Sequence, residues 1–405
     1  MMNDEQVRKS TEAFGGPTVD MLKQVHEDAL WMLENMGVGC VQPEIQRAFR
    51  QYEATGEAIL YENRIYVTTD LVKKCLESAP GVDEFFVPRN SFFTGGTAPY
   101  VYDDAAGQGG LIPTPDHIAR LAKIVNETDV IAGMGRGMKL KDEIEQMNIM
   151  TEHCEKPMYF AVTSDAAIER AKALHAERGN LMMVFCLTRP VLQVNENFSD
   201  SFVKVVKAGL PAFVSAMPMA GISAPFCYSG VLAVTHAEVL FGICAAQLLK
   251  PGATVIHAGF PTIADPRFDY NPNYGLRSHF LLNILQTHLN LMLDIPTCQS
   301  LATTNEEHLT ERALRDVRDG QAMAKKYGVH MMRHPFAFLR HLVDFSFAKL
   351  EKAIEISREV TAADAPEVEM PVYDPRGMES IQQVGLGMYL NDGLTTANLG
   401  KVFVQ

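Results

Sequence analysis

The chain has 405 residues, of which 47% are hydrophobic and 21% charged, a composition typical of a packed globular protein that argues against large-scale disorder. Its net charge is −13 and it has no run rich in lysine and arginine, which disfavours nucleic-acid binding because phosphate neutralisation needs clustered cations. Seven cysteines without a Cys-x-x-Cys pair predict reduced thiols. With a polar start and no apolar run of roughly 18 residues, we expect a soluble cytoplasmic protein that has no contact with a membrane.

The first part of the chain, residues 1–84, predicts a small subdomain of helices and one hairpin. Its charged faces are most simply solvated, and no catalytic constellation is visible in it. In chain order we predict a polar arm over 1–17, a helix that Thr18 or Asp20 caps and Gly37 ends, a helix over 43–55, a hairpin over 58–67 and a helix over 69–79.

From residue 85 the pattern changes to strands that alternate with helices. After extended pieces at 85–87 and 91–93, we predict strands near 98–102, 130–136, 157–163, 181–187, 211–216, 253–257, 295–300 and 329–334. The predicted helices lie near 115–126, 142–154, 165–177, 198–208, 228–249, 274–293, 306–327 and 344–360.

Eight strand–helix repeats are the number that closes a barrel, and continuous apolar strands such as MYFAV fit a sheet buried on both faces. The fold class predicted for residues 85–360 is therefore an α/β (β/α)8 TIM barrel. A doubly wound open sheet is the alternative, although no dinucleotide fingerprint follows the first strand. Residues 361–405 carry several prolines and no clear period, so we expect an extended C-terminal tail, either packed on the barrel or a second subunit, or mobile.

In a barrel of this kind the active site forms where the strands end. Aromatic rings gathered there would hold a quaternary ammonium ion, since such a cation cannot donate a hydrogen bond. The alternative is that they are ordinary core and rim residues. The side chains near predicted strand ends include Phe92, Phe93, Tyr100, Tyr102, Arg136, Thr163, Ser164, Gln193, Asn195, Phe226, Tyr228, His257, Cys298, Gln299, His330, Arg333, His334, Phe336 and Phe338.

Two further interpretations stay open. Cys298, His257 and His334 end separate strands and make a formal ligand set for a catalytic zinc, although no spaced metal motif supports it. Glu238 lies on the apolar helix 228–249, where a carboxylate is either partnered and structural or close to the site.

The stretch MPMAGISAPFCYSGVLAVTHAEVLFGICAAQLLKPGATVIHAG resembles the signature region of the trimethylamine methyltransferase family. HEDALWMLENMGV, FFTGGTAPYVYDD and PTPDHIARLAKIVNETD are supporting matches, and the resemblance covers roughly residues 20–360. The resemblance implies a (β/α)8 barrel that moves a methyl group from a methylated amine to the cobalt of a separate corrinoid protein. No tightly bound cofactor is implied, because the partner protein supplies the corrinoid (cobalamin).

The founding branch of that family uses pyrrolysine, whereas this chain has only standard residues and reads LATTNEEHL in the corresponding region. The resemblance is therefore to the branch without pyrrolysine. It implies a small methylated amine as substrate, either a quaternary amine such as glycine betaine, proline betaine or carnitine, or a tertiary amine. The alternatives are a zinc-dependent barrel enzyme or a barrel that binds betaine without catalysis. A homo-oligomer is also expected.

The resemblance and the strand-end rule together give the candidate site. We expect His257, Arg333 and His334 to be the catalytic residues, as polar groups that orient the substrate. His334 matches a substrate-contacting histidine of the family. Arg277 or Arg333 would bind any acid group, because Cys298 stands where the family places an arginine. The candidate substrate-binding residues are Phe93, Tyr100, Tyr102, Phe226, Tyr228 and Gln299.

Overall fold

The computed structural model describes residues 2–398, and it begins with four helices that surround one hairpin. They are α1 (Asp4–Phe14), α2 (Gly16–Asn35), α3 (Pro43–Arg50) and α4 (Thr69–Ser78), with hairpin strands Ala58–Tyr61 and Arg64–Val67. The polar arm predicted over 1–17 is wrong, because α1 is a helix capped by the Asn3 side chain. Its buried face was hard to see in a polar sequence: Phe14 packs edge-on against His288, with ring centres 4.6 Å apart.

Eight parallel strands form the centre of the fold. They are β1 (Ser91–Thr94), β2 (Gly133–Met134), β3 (Met158–Phe160), β4 (Leu181–Cys186), β5 (Ala212–Ser215), β6 (Val255–His257), β7 (Cys298–Ser300) and β8 (Met331–Arg333). From β1 to β6 each strand pairs with the next, β7 pairs with β8, and β8 pairs with β1. The ring is completed between β6 and β7 by one parallel bridge, His257 to Thr297, so the predicted barrel is confirmed.

A helix follows each strand and packs outside the barrel. These helices are α5 (Pro115–Glu127), α6 (Glu143–His153), α7 (Asp165–Arg178), α8 (Glu196–Ala208), α9 (Tyr228–Leu249), α10 (Arg277–Met292), α11 (Glu311–Tyr327) and α12 (Phe347–Glu359). Short strands occupy the connections: Val38–Gly39, Thr97–Ala98, Tyr100–Asp103, Gln108–Leu111, Gly137–Met138, Thr188–Arg189, Gln193–Val194, Met219–Ala220, Thr262–Asp265, Asn271–Pro272, Phe338–Leu339 and Asp344–Phe345.

The first barrel strand lies earlier in the chain than the sequence predicted. The strand expected at 98–102 is outside the ring, where Tyr100–Asp103 pairs with Gln108–Leu111 and Asp344–Phe345. The true first strand is the extended piece that the sequence analysis placed before it. At Gly95, directly after this strand, an added Cβ would lie 2.6 Å from the Cβ of Arg333. The backbone after β1 thus passes so close to the end of β8 that no side chain would fit at Gly95.

Apolar side chains fill the lower part of the bore. Phe93, Tyr159, Met182, Phe213, Ile256, Cys298 and Met331 point inward, each from a different strand, and form one buried cluster with Phe85 and Val87. The remaining strand contributes Gly133, where an added Cβ would lie 2.1 Å from the Phe93 ring. The bore is thus closed below, and any site has to lie above this layer.

Helix α9 lies between the barrel and the N-terminal helices. On its outer side Phe241 stacks on Phe49 of α3, with ring centres 5.2 Å apart, and on its inner side Gly242 approaches Val214 of β5. By length and composition α9 could cross a membrane, but 94% of its most apolar window is buried. That degree of burial identifies the core helix of a folded domain.

The C-terminal segment packs on its own barrel as far as residue 398. It contains α13 (Pro375–Val384) and α14 (Gly393–Asn398), so the fully extended tail expected there is wrong over these residues. Tyr373 donates a hydrogen bond to Asp28 at 3.0 Å, and Tyr389 is completely buried. Residues 399–405 of the predicted tail lie outside the described residues. The division into units 1–84, 85–360 and 361–405 stays a prediction.

Candidate active site

Arg333 crosses the bore just above the apolar layer. It ends β8, and its Nη2 donates to the carbonyl of Ala258 at 2.7 Å and to Ser215 Oγ at 3.2 Å, on the far side of the ring. The residue is only 5% exposed, yet within residues 2–398 no carboxylate forms an ion pair with it. Its buried Nε also has no hydrogen-bond partner there. This guanidinium therefore supplies unused positive charge and donors to the bore.

His334 follows Arg333 and stands beside it at the mouth. Its Nδ1 lies 2.8 Å from Ser300 Oγ, the last residue of β7. Burial first, and then the positive charge of Arg333, lower the pKa of His334 well below the ordinary value. The imidazole is therefore neutral at physiological pH and can contact a cation without repelling it.

Aromatic rings surround these two residues. Phe260 stacks on Tyr274 with ring centres 6.3 Å apart, and it meets His334 edge-on at 5.9 Å. Phe338 meets the other side of His334 at 5.6 Å. Burial raises the pKa of Tyr274 above its ordinary value, so its phenol stays neutral. The mouth thus has an aromatic wall, but Phe260 and Tyr274, which form part of it, were not among the predicted residues.

The bore is open to solvent on the β4 side. Cys186 ends β4 opposite Ser215 of β5, and it is exposed although all but one of the other cysteines are buried. Burial by the surrounding strands raises the pKa of its thiol, and the nearby Arg333 opposes that effect. The Cys186 thiol is surrounded by protein and is also accessible to water, as expected for a residue that lines a concave site.

His257 faces away from the bore. Its Nε2 lies 3.3 Å from His236 Nδ1 on α9, and His236 Nε2 lies 3.1 Å from His26 Nδ1 on α2. Gln299 also belongs to this outer network, because its Nε2 lies 3.4 Å from His257 Nδ1. His257 ends β6 and Gln299 is the middle residue of β7, but the structure does not bring either side chain to the bore.

The other predicted substrate-binding residues lie in three different places. Phe93 is part of the apolar layer below Arg333. Tyr100 and Tyr102 lie on the outer strand Tyr100–Asp103, where the Tyr102 hydroxyl is 2.7 Å from His308 Nδ1. Phe226 and Tyr228 line a cavity of about 590 Å³ between the helix starts and the C-terminal segment, beside Met370 and Tyr373. None of the five joins the group around Arg333.

Two alternatives from the sequence are settled by these positions. Cys298 and His334 face the bore but His257 does not, and within the described chain no group of three His, Cys, Asp or Glu residues could hold a metal ion. The proposed zinc set is therefore wrong. Glu238 accepts hydrogen bonds from Leu192 N at 2.9 Å and Thr188 Oγ1 at 3.2 Å. Burial raises its pKa to about 7, and its contacts are those of a structural carboxylate.

The model of the trimethylamine methyltransferase (MTTB) family matches residues 5–405. The chain belongs to this family. It is a methyltransferase, as expected from its resemblance to the family. The family match extends through the C-terminal segment, beyond the residues 20–360 over which the sequence resemblance was seen.

Two curated relatives and one solved structure resemble this member of the trimethylamine methyltransferase family. The glycine betaine methyltransferase of Desulfitobacterium hafniense (strain Y51) is 24% identical over 368 residues, which cover 84% of this chain and 75% of that protein. The proline betaine:corrinoid methyltransferase of Eubacterium limosum is 22% identical over 279 residues, covering 60% and 56%. A crystal structure of the hydroxylamine complex of MtmB has a TM-score of 0.53 at 11% identity, covering 98% and 84%, which supports the fold alone.

Proposed function

We propose that this protein transfers a methyl group from a small quaternary amine that also carries a carboxylate to the cobalt of a separate corrinoid protein. The observation that carries the proposal is Arg333, a buried guanidinium without an ion pair among the described residues, placed over the ring of Phe260, which in turn stacks on Tyr274. These features suit the two ends of a betaine.

The carboxylate end would bind at Arg333. A buried charge is costly unless it is paired, and here the protein itself offers Nη2 only a carbonyl and a hydroxyl. A substrate carboxylate would supply the missing countercharge and could accept from the unpartnered Nε. Arginine suits this role because its planar donors match both oxygens of a carboxylate.

The ammonium end would lie against the aromatic wall. A quaternary nitrogen has no N–H to donate, so the aromatic rings of Phe260 and Tyr274 would provide the attraction instead. His334, neutral and held by Ser300, completes this wall without adding positive charge. Phe338 is completely buried against His334, which fixes the ring in place.

The chemistry asks little of the protein beyond positioning. In a quaternary amine the nitrogen already carries the positive charge, so the carbon–nitrogen bond can break with its electron pair going to nitrogen and no proton being needed. The corrinoid of the partner protein supplies the methyl acceptor. Arg333 and the aromatic wall would orient one methyl group toward the open mouth above Cys186, and orientation of this kind can supply much of a rate enhancement.

The two relatives reported above support this substrate class. Glycine betaine and proline betaine, after which they are named, each combine a quaternary ammonium with a carboxylate. The second name also includes a corrinoid as acceptor. Trimethylamine, after which the family is named, has no carboxylate and would leave Arg333 unpaired.

A methyl-transfer assay against matched amines tests the proposal. The protein is mixed with a Co(I) corrinoid protein and with glycine betaine, proline betaine, carnitine, choline, tetramethylammonium or trimethylamine, and methylation of cobalt is followed by its absorption spectrum. We expect transfer from one or more of the three carboxylate-bearing amines and little from the other three.

Binding measured by calorimetry on the same panel separates the alternatives. Transfer from choline as fast as from the best betaine would contradict the carboxylate requirement. Tight binding of a betaine without transfer to any corrinoid protein offered would favour a barrel that binds betaine without catalysis. Neither binding nor transfer across the panel would overturn the proposed function as a whole.

A further inference from the structure

Three buried histidines form a continuous chain from the N-terminal helices to the end of β6. His26 on α2, His236 on α9 and His257 on β6 are joined by ring nitrogen distances of 3.1 and 3.3 Å. His236 and His257 are fully buried and His26 is 7% exposed. Among residues 2–398, no charged side chain forms an ion pair with any of the three rings.

The hydrogen bonds between the three histidines all run in the same direction, from His257 toward His26. Gln299 Nε2 also donates to the His257 carbonyl at 3.3 Å, which identifies it as the amide nitrogen, because a carbonyl can only accept. His257 Nδ1 faces this nitrogen and the Gly259 N–H, so it accepts and the His257 proton is on Nε2. His257 therefore donates to His236, and His236 donates in turn to His26. All three rings carry their proton on Nε2.

The rings are neutral at physiological pH. Burial lowers the pKa of His26 to about 4 and that of His257 to about 3. Burial first, and then the two neighbouring imidazoles, lower the pKa of His236 well below the ordinary value. A neutral chain with fixed proton positions can hold a backbone segment in one place.

The backbone segment that these three histidines hold is the one that contacts the guanidinium of Arg333. The Ala258 carbonyl, next after His257, accepts from Arg333 Nη2 at 2.7 Å and from Ser215 Oγ at 2.9 Å. Phe260, two residues further, lies against the guanidinium at 5.1 Å. Between β6 and β7 the barrel is closed by a single bridge, at His257. Few backbone hydrogen bonds therefore hold the end of β6, and the hydrogen bond from the His257 ring to His236 adds support there.

We propose that His236 is a positioning residue for Arg333, acting through His257 and the Ala258–Phe260 segment. That Arg333 binds the substrate carboxylate rests on the proposed function. The positions of the protons on the three histidines do not depend on it. His236 would keep the guanidinium across the bore, where the carboxylate of the substrate binds. The methyl transfer itself does not pass through the chain.

Two substitutions of His236 distinguish its hydrogen bond with His257 from its hydrogen bond with His26. In His236→Asn the short amide places an oxygen near the former Nδ1 and can still accept from His257. In His236→Gln the longer amide can still donate toward His26, but it leaves His257 Nε2–H without its acceptor. We expect His236→Gln to weaken glycine betaine binding about tenfold, within the range expected for the loss of one hydrogen bond between neutral groups, and His236→Asn to retain the affinity.

Tetramethylammonium, which has no carboxylate, is the matched ligand, and its affinity should be unchanged in both variants. His288→Gln is the matched control, because His288 is equally buried but binds Ser10 and the end of α11, away from the mouth. Equal loss of both ligands in His236→Gln, or a loss in His288→Gln of the same size, would overturn the positioning role. Unchanged glycine betaine binding in a folded His236→Gln variant would also overturn it.

The proton positions are tested on the unaltered protein by nitrogen NMR of labelled histidine. Nε2–H neutral rings are expected at His26, His236 and His257 near neutral pH, and an Nδ1–H ring or an imidazolium at any of the three would overturn the chain. Because the positioning role needs these hydrogen bonds, the measurement can overturn it even if the variants do not fold. If the unaltered protein binds glycine betaine no better than tetramethylammonium, the proposed function fails, whatever the histidines show.

Discussion

The guanidinium of Arg333 lies over the ring of Phe260, with its central carbon 5.1 Å from the ring centre. The same ring stacks on Tyr274 and meets His334 edge-on. Phe260 therefore touches both the proposed acid-binding group and the proposed ammonium-binding wall. A substrate that satisfies both must have its charges a short, fixed distance apart, which favours betaines with few atoms between nitrogen and carboxylate.

Replacing Arg333 should separate the two ends of the substrate. We expect Arg333→Gln to weaken glycine betaine binding by roughly 100-fold, because two charge-assisted hydrogen bonds are lost. Tetramethylammonium should bind as well or better, since a repelling cation has been removed. Calorimetric titration of both ligands measures the difference. Arg277→Gln is the control, because Arg277 pairs with Asp319 outside the bore and its loss should change neither affinity.

Cys186 should be the first cysteine to react with a small alkylating reagent. It is exposed, whereas Cys227 is half-buried and the other five are buried. Because burial raises the pKa of the Cys186 thiol, the reaction should quicken as the pH rises above 7. Iodoacetate labelling followed by peptide mass spectrometry identifies the site, and glycine betaine should slow it by occupying the bore. Labelling that starts elsewhere, or that betaine does not affect, would contradict an open bore; Cys186→Ser is the blank.

The folded state should lose stability as the pH falls below about 6.5. Seven of the twelve histidines are buried, and burial lowers the pKa of each, so the unfolded chain binds protons that the folded chain refuses. Stability is therefore complete above the unfolded value and declines toward the folded values, which are about 4 for His26, His288 and His330. Denaturant unfolding at pH 7.5, 6 and 5 measures the decline.

A single variant checks the size of this effect. His288→Gln should be less stable than the unaltered protein at pH 7.5, because His288 binds Ser10 and the Tyr327 carbonyl. At pH 5 that deficit should shrink by about 2 kcal/mol, the linkage expected for a histidine whose pKa falls from about 6.5 to about 4. A deficit that does not change with pH would show that His288 is not held neutral.

Tyr389 should anchor the C-terminal segment to the barrel mouth. The residue is completely buried, and its N–H donates to the Ile222 carbonyl of the loop after β5 at 2.8 Å. We expect Tyr389→Ala to cost about 3 kcal/mol of unfolding free energy, as for other buried aromatic residues. Leu390→Ala next to it, where the side chain is largely exposed, should cost less than about 0.5 kcal/mol. Equal effects in the two variants would contradict the anchoring role.

The sequence predicted the barrel because its apolar strands and helices recur with regular lengths. Helix α9 was predicted over its full extent, and seven of the eight strands were found in place. The first strand was missed because SFFT is short and ends at two glycines, whereas the Tyr-Val-Tyr run that follows has a stronger strand pattern. The close contact with Arg333 just after this strand cannot be seen in the local sequence pattern.

The candidate site was predicted in part. Arg333 and His334 were found by their position after a strand, but His257 was expected at the bore and faces α9. Successive side chains along a barrel strand face alternately into the bore and out toward the helices. An error of one residue in the predicted end of a strand therefore places an outward-facing side chain in the bore, or the reverse. Phe260 and Tyr274 were missed because they lie in a long connection without periodicity; the rule that inspects residues after each strand would have found Phe260 had it been applied beyond His257.

The position of α9 has a consequence for how the chain is made. Its outer surface is covered by α2, α3 and α4, which are synthesised more than a hundred residues earlier. These three helices cannot bury their apolar faces against α9 until it has also left the ribosome. A version of the protein that begins at residue 85 would leave this helix, apolar enough to enter a bilayer, with a bare outer side. Such a truncated product would be a target for chaperones and for aggregation, although every barrel strand would still be present.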